Sequence, residues 1–225
     1  MVLTSSVASV LGDAVECEGR ETTNETHWNE TSSLSHQPYS YSKVMAEKAA
    51  WKVKEKQDRW DMVTINPSLV LGPGINPHGT SESFKIVKQL ADGTYKLGAP
   101  EFYIGVVDVR DVAQAHYKAG FTPEASGRFI TSSENTSMFD LGQALRKEYG
   151  DKYPFPKSVS PKFLIWALAP LFGYKRKMMA RNVGYKWNVD NSKSKNVLGM
   201  KYTTGSQSIV DFFEQMLEHG LIEKK

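Results

Sequence analysis

Tyr39 and Lys43 stand four residues apart in Tyr39-Ser40-Tyr41-Ser42-Lys43, and on a helix that spacing puts both side chains on one face. Together they can move a proton. A free tyrosine titrates near ~10 and is a poor acid or base at neutral pH, but an ammonium group a few ångströms away favours the phenolate. A tyrosine assisted in this way can serve as the acid when hydride reaches a carbonyl carbon and charge builds on its oxygen, and as the base in the reverse direction. Alone the pair is a weak signal, because on many surface helices such a lysine is merely solvated and the tyrosine covers a core edge. Context strengthens it. Thr4-Ser5-Ser6 ends a strand-like run upstream, where Ser6 could donate a hydrogen bond to the same oxygen. Downstream, Asn66-Pro67-Ser68-Leu69-Val70-Leu71-Gly72-Pro73 ends another strand-like run. In parallel α/β sheets, ligands bind at the carboxyl ends of strands, where all three segments would converge.

The elements that must hold these residues follow from pattern. Val2 to Thr4 opens as though inside a buried strand, and the polar stretch from Glu16 to Gln37 reads as a long loop. Pro38 sits where a helix can start, and apolar or small residues from Val44 to Val53 carry that helix to about Lys56. Met62 to Asn66, Tyr103 to Val107 and Arg128 to Thr131 read as strands, and Ser81 to Ala91 and Val109 to Ala119 as helices. Gly72-Pro73-Gly74 and Asn76-Pro77 force a loop between them. Ser137 and Asp140 form a capping-box-like start for a helix reaching Glu148, and a last helix lies near Ile209 to His219. Strands alternating with helices imply a parallel α/β sheet. From Pro154 the texture changes to a Pro-rich link and an apolar segment, which reads as a smaller, mainly helical cap. The expected organisation is therefore a sheet domain over 1–153 with some substrate-loop insertions, and a substrate-binding cap region over 154–225.

Composition narrows the function classes. Of the 225 residues, 40% are hydrophobic and 24% charged, which excludes disorder over most of the length. The net charge of +3 is small, and basic residues interleave with acidic ones. That gives no basic stripe for nucleic acid. Cys17 is the single cysteine, so no intrachain disulfide forms. In its polar loop, with no Cys-His motif, it reads as an exposed, uncatalytic thiol. His27, His36, His78, His116 and His219 show no metal-ligand spacing. The longest apolar run, Phe163 to Phe172, falls short of the ~20 residues a spanning helix needs. It reads as a helix packed on or within the substrate region, with a membrane-surface helix as the alternative, since Lys175-Arg176-Lys177 follows it. No secretory leader pattern opens the chain. A cytoplasmic location is expected, with the sequons at Asn24, Asn29 and Asn135 as chance matches.

Taken together, Leu3-Thr4-Ser5-Ser6, Tyr39-x-x-x-Lys43 with Ala46-Glu47-Lys48-Ala49-Ala50-Trp51, the Asn66–Pro73 segment, Val107-Asp108-Val109-Arg110-Asp111-Val112-Ala113 and Asp190-Asn191-Ser192-Lys193 resemble the extended short-chain dehydrogenases/reductases. The resemblance is to the branch of dihydroflavonol reductases, cinnamoyl-CoA reductases and yeast-type aldehyde or ketone reductases, in the NAD-dependent epimerase/dehydratase superfamily. It implies the C-terminal part of a Rossmann-type doubly wound parallel sheet, using NADP or NAD, with NADP preferred, on a small carbonyl substrate. Ser6 would polarise the carbonyl and Tyr39 would donate the proton. Lys43 would assist Tyr39 and hold the nicotinamide ribose, and Pro67, Ser68, Leu69 and Val70 would border the nicotinamide. Ser81 or Ser83 would approach the cofactor further out, while Glu47 and Asp111 read as structural, Asp111 as a helix cap. Two departures stand out. Gly72, Gly74 and Gly79 make no G-x-G-x-x-G pattern, so pyrophosphate and adenosine have no identifiable residues. The chain is accordingly expected to be an N-terminally truncated fragment that folds poorly and is inactive alone. Leu11 stands where plant flavonoid reductases carry a substrate-facing asparagine. A nucleotide-sugar epimerase or dehydratase, using the same Ser/Tyr/Lys set, and a non-catalytic scaffold or binding remnant stay open as alternatives.

Overall fold

A computed structural model describes residues 1–19, 22–76 and 81–224; Pro77, His78 and Gly79 lie outside the described residues. In chain order the elements are β1 (Val2–Thr4), α1 (Pro38–Lys54), β2 (Val63–Pro67), β3 (Leu69–Leu71), α2 (Glu82–Ala91), β4 (Ala99–Pro100) and β5 (Tyr103–Asp108). Then come α3 (Val109–Phe121), β6 (Gly127–Thr131), β7 (Glu134–Ser137), α4 (Met138–Tyr149), β8 (Val159–Ser160), α5 (Lys162–Leu168), α6 (Arg176–Asn182), α7 (Ser192–Leu198) and α8 (Gly205–Glu218). The class is the expected α/β, with parallel strands in the order β1-β2-β6. A second ladder, β3-β5-β7, continues from the first where the chain passes from β2 to β3 and from β6 to β7; here β7 runs antiparallel to β5, a reversal that the alternation pattern does not show. Ser68 N–H donating to Thr131 O at 3.0 Å stitches the two ladders at that passage.

The strand β2 sits between two neighbours and is buried along its whole length, as its β-branched run Val63-Thr64-Ile65 requires of a strand covered on both faces. Pro67, at its last position, gives up a donor only where the ladder ends. Ser137 and Asp140 form the capping box at the start of α4. The larger core gathers Leu71, Val87, Leu90, Val106, Leu141 and Phe155 with Ile209, Phe212 and Phe213 of α8. A second core packs Val63, Ile65 and Phe129 against Ala115 and Ala119 of α3, with Leu198 at the end of α7. Both final helices thus return to the sheet. β4 pairs with β8 in a two-stranded ribbon beside α4.

The edges of the first ladder are treated differently. The outer edge of β6 is covered by side chains: Ile130 N–H donates to Glu25 Oε1 at 3.0 Å, and Lys193 Nζ donates to Arg128 O at 2.8 Å. Burial pushes the Glu25 carboxyl up and the Lys193 ammonium down. This side-chain cover blunts an edge that would otherwise recruit another strand. On the other side, β1 pairs with β2 alone among the described residues. Among the described residues, no helix is long and apolar enough to cross a membrane.

One buried ion pair ties the sheet to α1. Glu47 Oε1 accepts from Arg128 Nε at 2.6 Å, with Glu47 fully buried and Arg128 nearly so. The other carboxylate oxygen accepts from Ser5 Oγ and Ser9 Oγ, each at 2.5 Å, and from Asn66 Nδ2 at 2.8 Å. Arg128 Nη1 reaches Glu25 O at 3.0 Å and His27 O at 2.5 Å, and its guanidinium lies 3.9 Å from the Trp28 ring centroid. Burial alone would raise the Glu47 carboxyl; hydrogen bonds from Arg128, Ser5 and Ser9 outweigh it and hold the group below its ordinary 4.5. A depressed carboxyl contributes stability that is present above the unfolded value and is lost as pH falls through the folded one. Arg128→Met therefore destabilises the fold by about 3–5 kcal/mol at neutral pH, because it strands a buried carboxylate. Glu47→Gln/Arg128→Met costs less than the single change, and its stability no longer carries the fall below pH 4.5 that Glu47 contributes. Urea unfolding at several pH values measures both effects.

Candidate active site

Above that ion pair, β1 ends at Ser5-Ser6 and the chain turns into a short helical turn, Val7–Ser9. Ser6 caps it: its Oγ accepts from Ala8 N–H at 3.1 Å, which uses an acceptor position and leaves the hydroxyl proton to donate. Its carbonyl accepts from Ser9 N–H at 3.0 Å and from Asn66 Nδ2 at 3.2 Å, so both β1 and β2 fix it.

The helix α1 carries Tyr39 and Lys43. Pro38 occupies its first turn, as read from the sequence. Gln37 before it adopts φ 55°, the single left-handed backbone among the described non-glycine residues. Such strain persists only where neighbours over-determine it. Gln37 Nε2 donates to Asp13, while its Oε1 accepts from Ser40 Oγ at 3.1 Å. The kink sets the direction in which the first turn, with Tyr39, leaves the loop. Tyr39 is 62% exposed, and Lys43 Nζ lies 5.7 Å from its ring centroid.

Ser6, Tyr39, Ser68, Leu69 and Val70 line one cleft of about 740 Å³. Two expected site residues are not on its walls. Lys43 sits beside the Tyr39 ring, and Pro67 is buried in the sheet opposite Thr131. Ser81 and Ser83 do reach the cleft, the latter donating to Val70 O at 2.6 Å. Leu11, Phe102, Tyr103, Ile104 and Trp187 supply apolar wall that sequence pattern did not assign. Ser68 is buried, and its hydroxyl has no hydrogen-bond partner among the described residues. At the cleft rim, Gly72 has φ +93°, and a Cβ there would lie 2.7 Å from the Asp108 carboxylate, so glycine is required.

Several side chains have roles other than those the residue types suggested. Asp108, not Asp111, caps α3, accepting from Arg110 N–H at 2.8 Å; Asp111 instead holds Thr203 N–H at 2.7 Å, a structural role as expected. Cys17 is buried against Ala14 and Trp187 rather than exposed. His116 bridges α3 to β1, Nε2 lying 2.7 Å from Thr4 Oγ1. No metal-binding cluster occurs among the described residues.

The residue that sequence reading passed over is Asp13. It is fully buried and accepts from His36 Nε2 at 2.8 Å, Asn182 Nδ2 at 2.7 Å, Gln37 Nε2 and Arg181 Nε. Burial would raise its carboxyl, but Arg181, Asn182 and His36 outweigh that and hold it below 3.8. The loop before α1 is thereby fastened to α6 on the far wall, where Asn182 lines the cleft.

The sequence profile of the NAD dependent epimerase/dehydratase family matches residues 1–129, and the chain belongs to that family. Among curated proteins it is 36% identical over 169 residues to tetraketide alpha-pyrone reductase 2 of Arabidopsis thaliana, covering 72% of this chain and 50% of that one. It is 31% identical to the NADPH-dependent methylglyoxal reductase of Saccharomyces cerevisiae, covering 97% of this chain and 63% of that one. The crystal structure of the yeast methylglyoxal/isovaleraldehyde reductase complexed with NADPH superposes with TM-score 0.73 at 29% identity, over 98% of this chain and 64% of that one. The fold is of the Rossmann type shared by these reductases. The chain spans between half and two thirds of the length of these relatives.

Removing the Asp13 carboxylate leaves His36, Arg181, Asn182 and Gln37 without their shared acceptor. Asp13→Ala should cost about 1–3 kcal/mol in urea unfolding at pH 7. Limited proteolysis should then cut first between residues 14 and 37, because the loop has lost its link to α6.

Proposed function

We propose that this chain forms the catalytic half of an NADPH-dependent reductase that converts a ketone or aldehyde to an alcohol. The observation that carries the reading is the shared cleft: Ser6, Tyr39 and Ser68–Val70 line it together, with the Lys43 ammonium against Tyr39. A reduced nicotinamide, when bound, supplies hydride to the carbonyl carbon. The residues fit such a group. Ser68, on the wall, offers a buried hydroxyl with no protein partner, a position that a ligand's polar group satisfies. Lys43 and Tyr39 would hold the ribose, and Ser68 to Val70 would border the ring, with Pro67 behind them in the sheet.

Ser6 donates its remaining hydroxyl proton to the substrate oxygen, and Tyr39 passes its phenolic proton to that oxygen as negative charge develops. Lys43 stabilises the phenolate left behind. Leu11, Phe102, Ile104 and Trp187 make an apolar wall that favours a substrate with a hydrophobic body and excludes water from the reacting carbonyl. The same wall disfavours the nucleotide-sugar reading, which would need polar partners for a diphosphate and a hexose. NADPH in preference to NADH is supported by the yeast relative, an NADPH-dependent methylglyoxal reductase with a crystal structure in complex with NADPH.

Carbonyl-dependent consumption of NADPH, assayed in a protein that also carries a glycine-rich N-terminal half, tests the reading. Tyr39→Phe keeps the ring and removes its proton, and turnover falls at least ~100-fold, far more than cofactor affinity, since Lys43 keeps its hold on the ribose. Lys43→Met lowers turnover and weakens cofactor binding together. Ser6→Ala lowers turnover, with its loss seen in kcat rather than KM. Tyr41→Phe, on another helical face, is nearly silent. Loss of turnover in Tyr41→Phe with an unaffected Tyr39→Phe contradicts the register, and silence of both contradicts the reductase reading.

A further inference from the structure

The interleaving of charges along the chain fails in one place. Between Asp151 and Asp190 there are six lysines, two arginines and no acidic residue, in a protein whose net charge is only +3. The same stretch holds the apolar run that ends in Lys175-Arg176-Lys177. It folds into α5, a short helical turn (Ala169–Phe172) and α6, and no residue of α5 is buried. The packed-helix expectation is met on one side only: Ile165 and Ala169 pack with Met179 and Val183, while the run's other described side chains face outward. Phe163 is 73% and Leu171 80% exposed, and Leu164, Trp166, Leu168 and Tyr174 also face solvent. None of these six lines the cleft. Arg176 lies over the Trp166 ring, its guanidinium carbon 4.9 Å from the centroid, and Lys177 is exposed beside it.

Scattered exposed leucines are ordinary, but an apolar patch of three aromatic rings and three leucines with a basic rim marks a contact surface. Its charge selects the occupant. A second copy joined about a two-fold axis would set the patch against itself and bring like cations together with no acid in either stretch to offset them. An anionic lipid surface offers the complement on both counts. Its acyl boundary takes up Phe, Trp and Leu, and its phosphates and carboxylates take up Lys and Arg, whose stems lie along the apolar surface. A helix of seven residues can lie in that boundary and cannot span it.

We propose that the α5–α6 face is a membrane-docking surface for anionic phospholipid, with Phe163, Trp166 and Leu171 entering the interface and Arg176 and Lys177 at the headgroups. This stands apart from the catalytic reading and uses none of its residues.

Flotation of the purified protein with vesicles of phosphatidylcholine alone, or with phosphatidylserine added, tests it. Binding occurs only to the serine-containing vesicles and weakens with salt. It is accompanied by a blue shift of tryptophan emission that Trp166→Tyr removes. Arg176→Glu/Lys177→Glu lowers the affinity at least ~20-fold, taking roughly fivefold per cation near such a surface. Phe163→Ser/Leu171→Ser also abolishes binding. These side chains are exposed, so far-ultraviolet circular dichroism stays unchanged. If the serine variant nevertheless loses its fold, the charge-reversal variant decides the matter. Failure to bind, or equal binding to both vesicle types, overturns the proposal. So does concentration-dependent dimerisation without lipid binding that Phe163→Ser/Leu171→Ser removes, which would make the patch a contact between copies.

Discussion

The burial of Glu47 beneath the cleft is the constraint from which the site follows. A carboxylate this deep must be paired and fully hydrogen-bonded, or the fold would expel it. Its partners come from four parts of the chain: Ser5 and Ser9 after β1, Asn66 on β2, Arg128 on β6, and Trp51 one turn along α1 itself. Satisfying one charge therefore sets the relative positions of the Ser6 turn, the helix of Tyr39 and Lys43, and the strand that leads into Ser68. The arrangement also explains why a costly group is kept where an apolar side chain would pack. An apolar replacement could fill the space but would not specify the register between α1 and three strands.

Asp13 plays the matching part on the opposite side. It takes a buried negative charge to the base of the loop and answers it with an arginine, a histidine and two amides from two regions, His36 and Gln37 beside α1, and Arg181 and Asn182 on α6. One carboxylate thus joins the sheet side to the helix of Tyr39 and Lys43, and the other joins the loop to the outer wall. Between them lies an apolar cleft with a few polar groups, the composition expected of a small-molecule site.

Much of this was legible in the residues. The β-branched run of β2 and the period-3.6 patterns of α1, α3 and α4 located those elements to within a residue or two, because one is buried on both faces and the helices each bury a regular face. Pro38 and Ser137 marked helix starts because their chemistry is local. What stayed hidden depends on partners distant in the chain. Glu47 and Arg128 are 81 residues apart, and Asp13 and Arg181 are 168 apart; neither pair leaves a spacing that periodicity can detect. Cys17 looked exposed because its neighbours are polar, whereas Trp187 from the far end covers it. The antiparallel return of β7 was also unreadable, since strand direction depends on the path of the chain rather than on side-chain alternation. The basic, apolar stretch after Asp151 could have been found by counting charges in windows instead of over the whole chain.

The central claim is that the Glu47–Arg128 pair holds the proposed catalytic segments, the Ser6 turn and the start of α1, in register. Hydrogen exchange on Glu47→Gln, compared with the unmodified protein, tests it most directly. The account predicts that amides of the Ser6 turn and of the first turns of α1 lose protection together, while α4 and α8, which pack in the separate larger core, keep theirs. Unchanged protection at both catalytic segments, or a uniform loss across α4 and α8 as well, would contradict it.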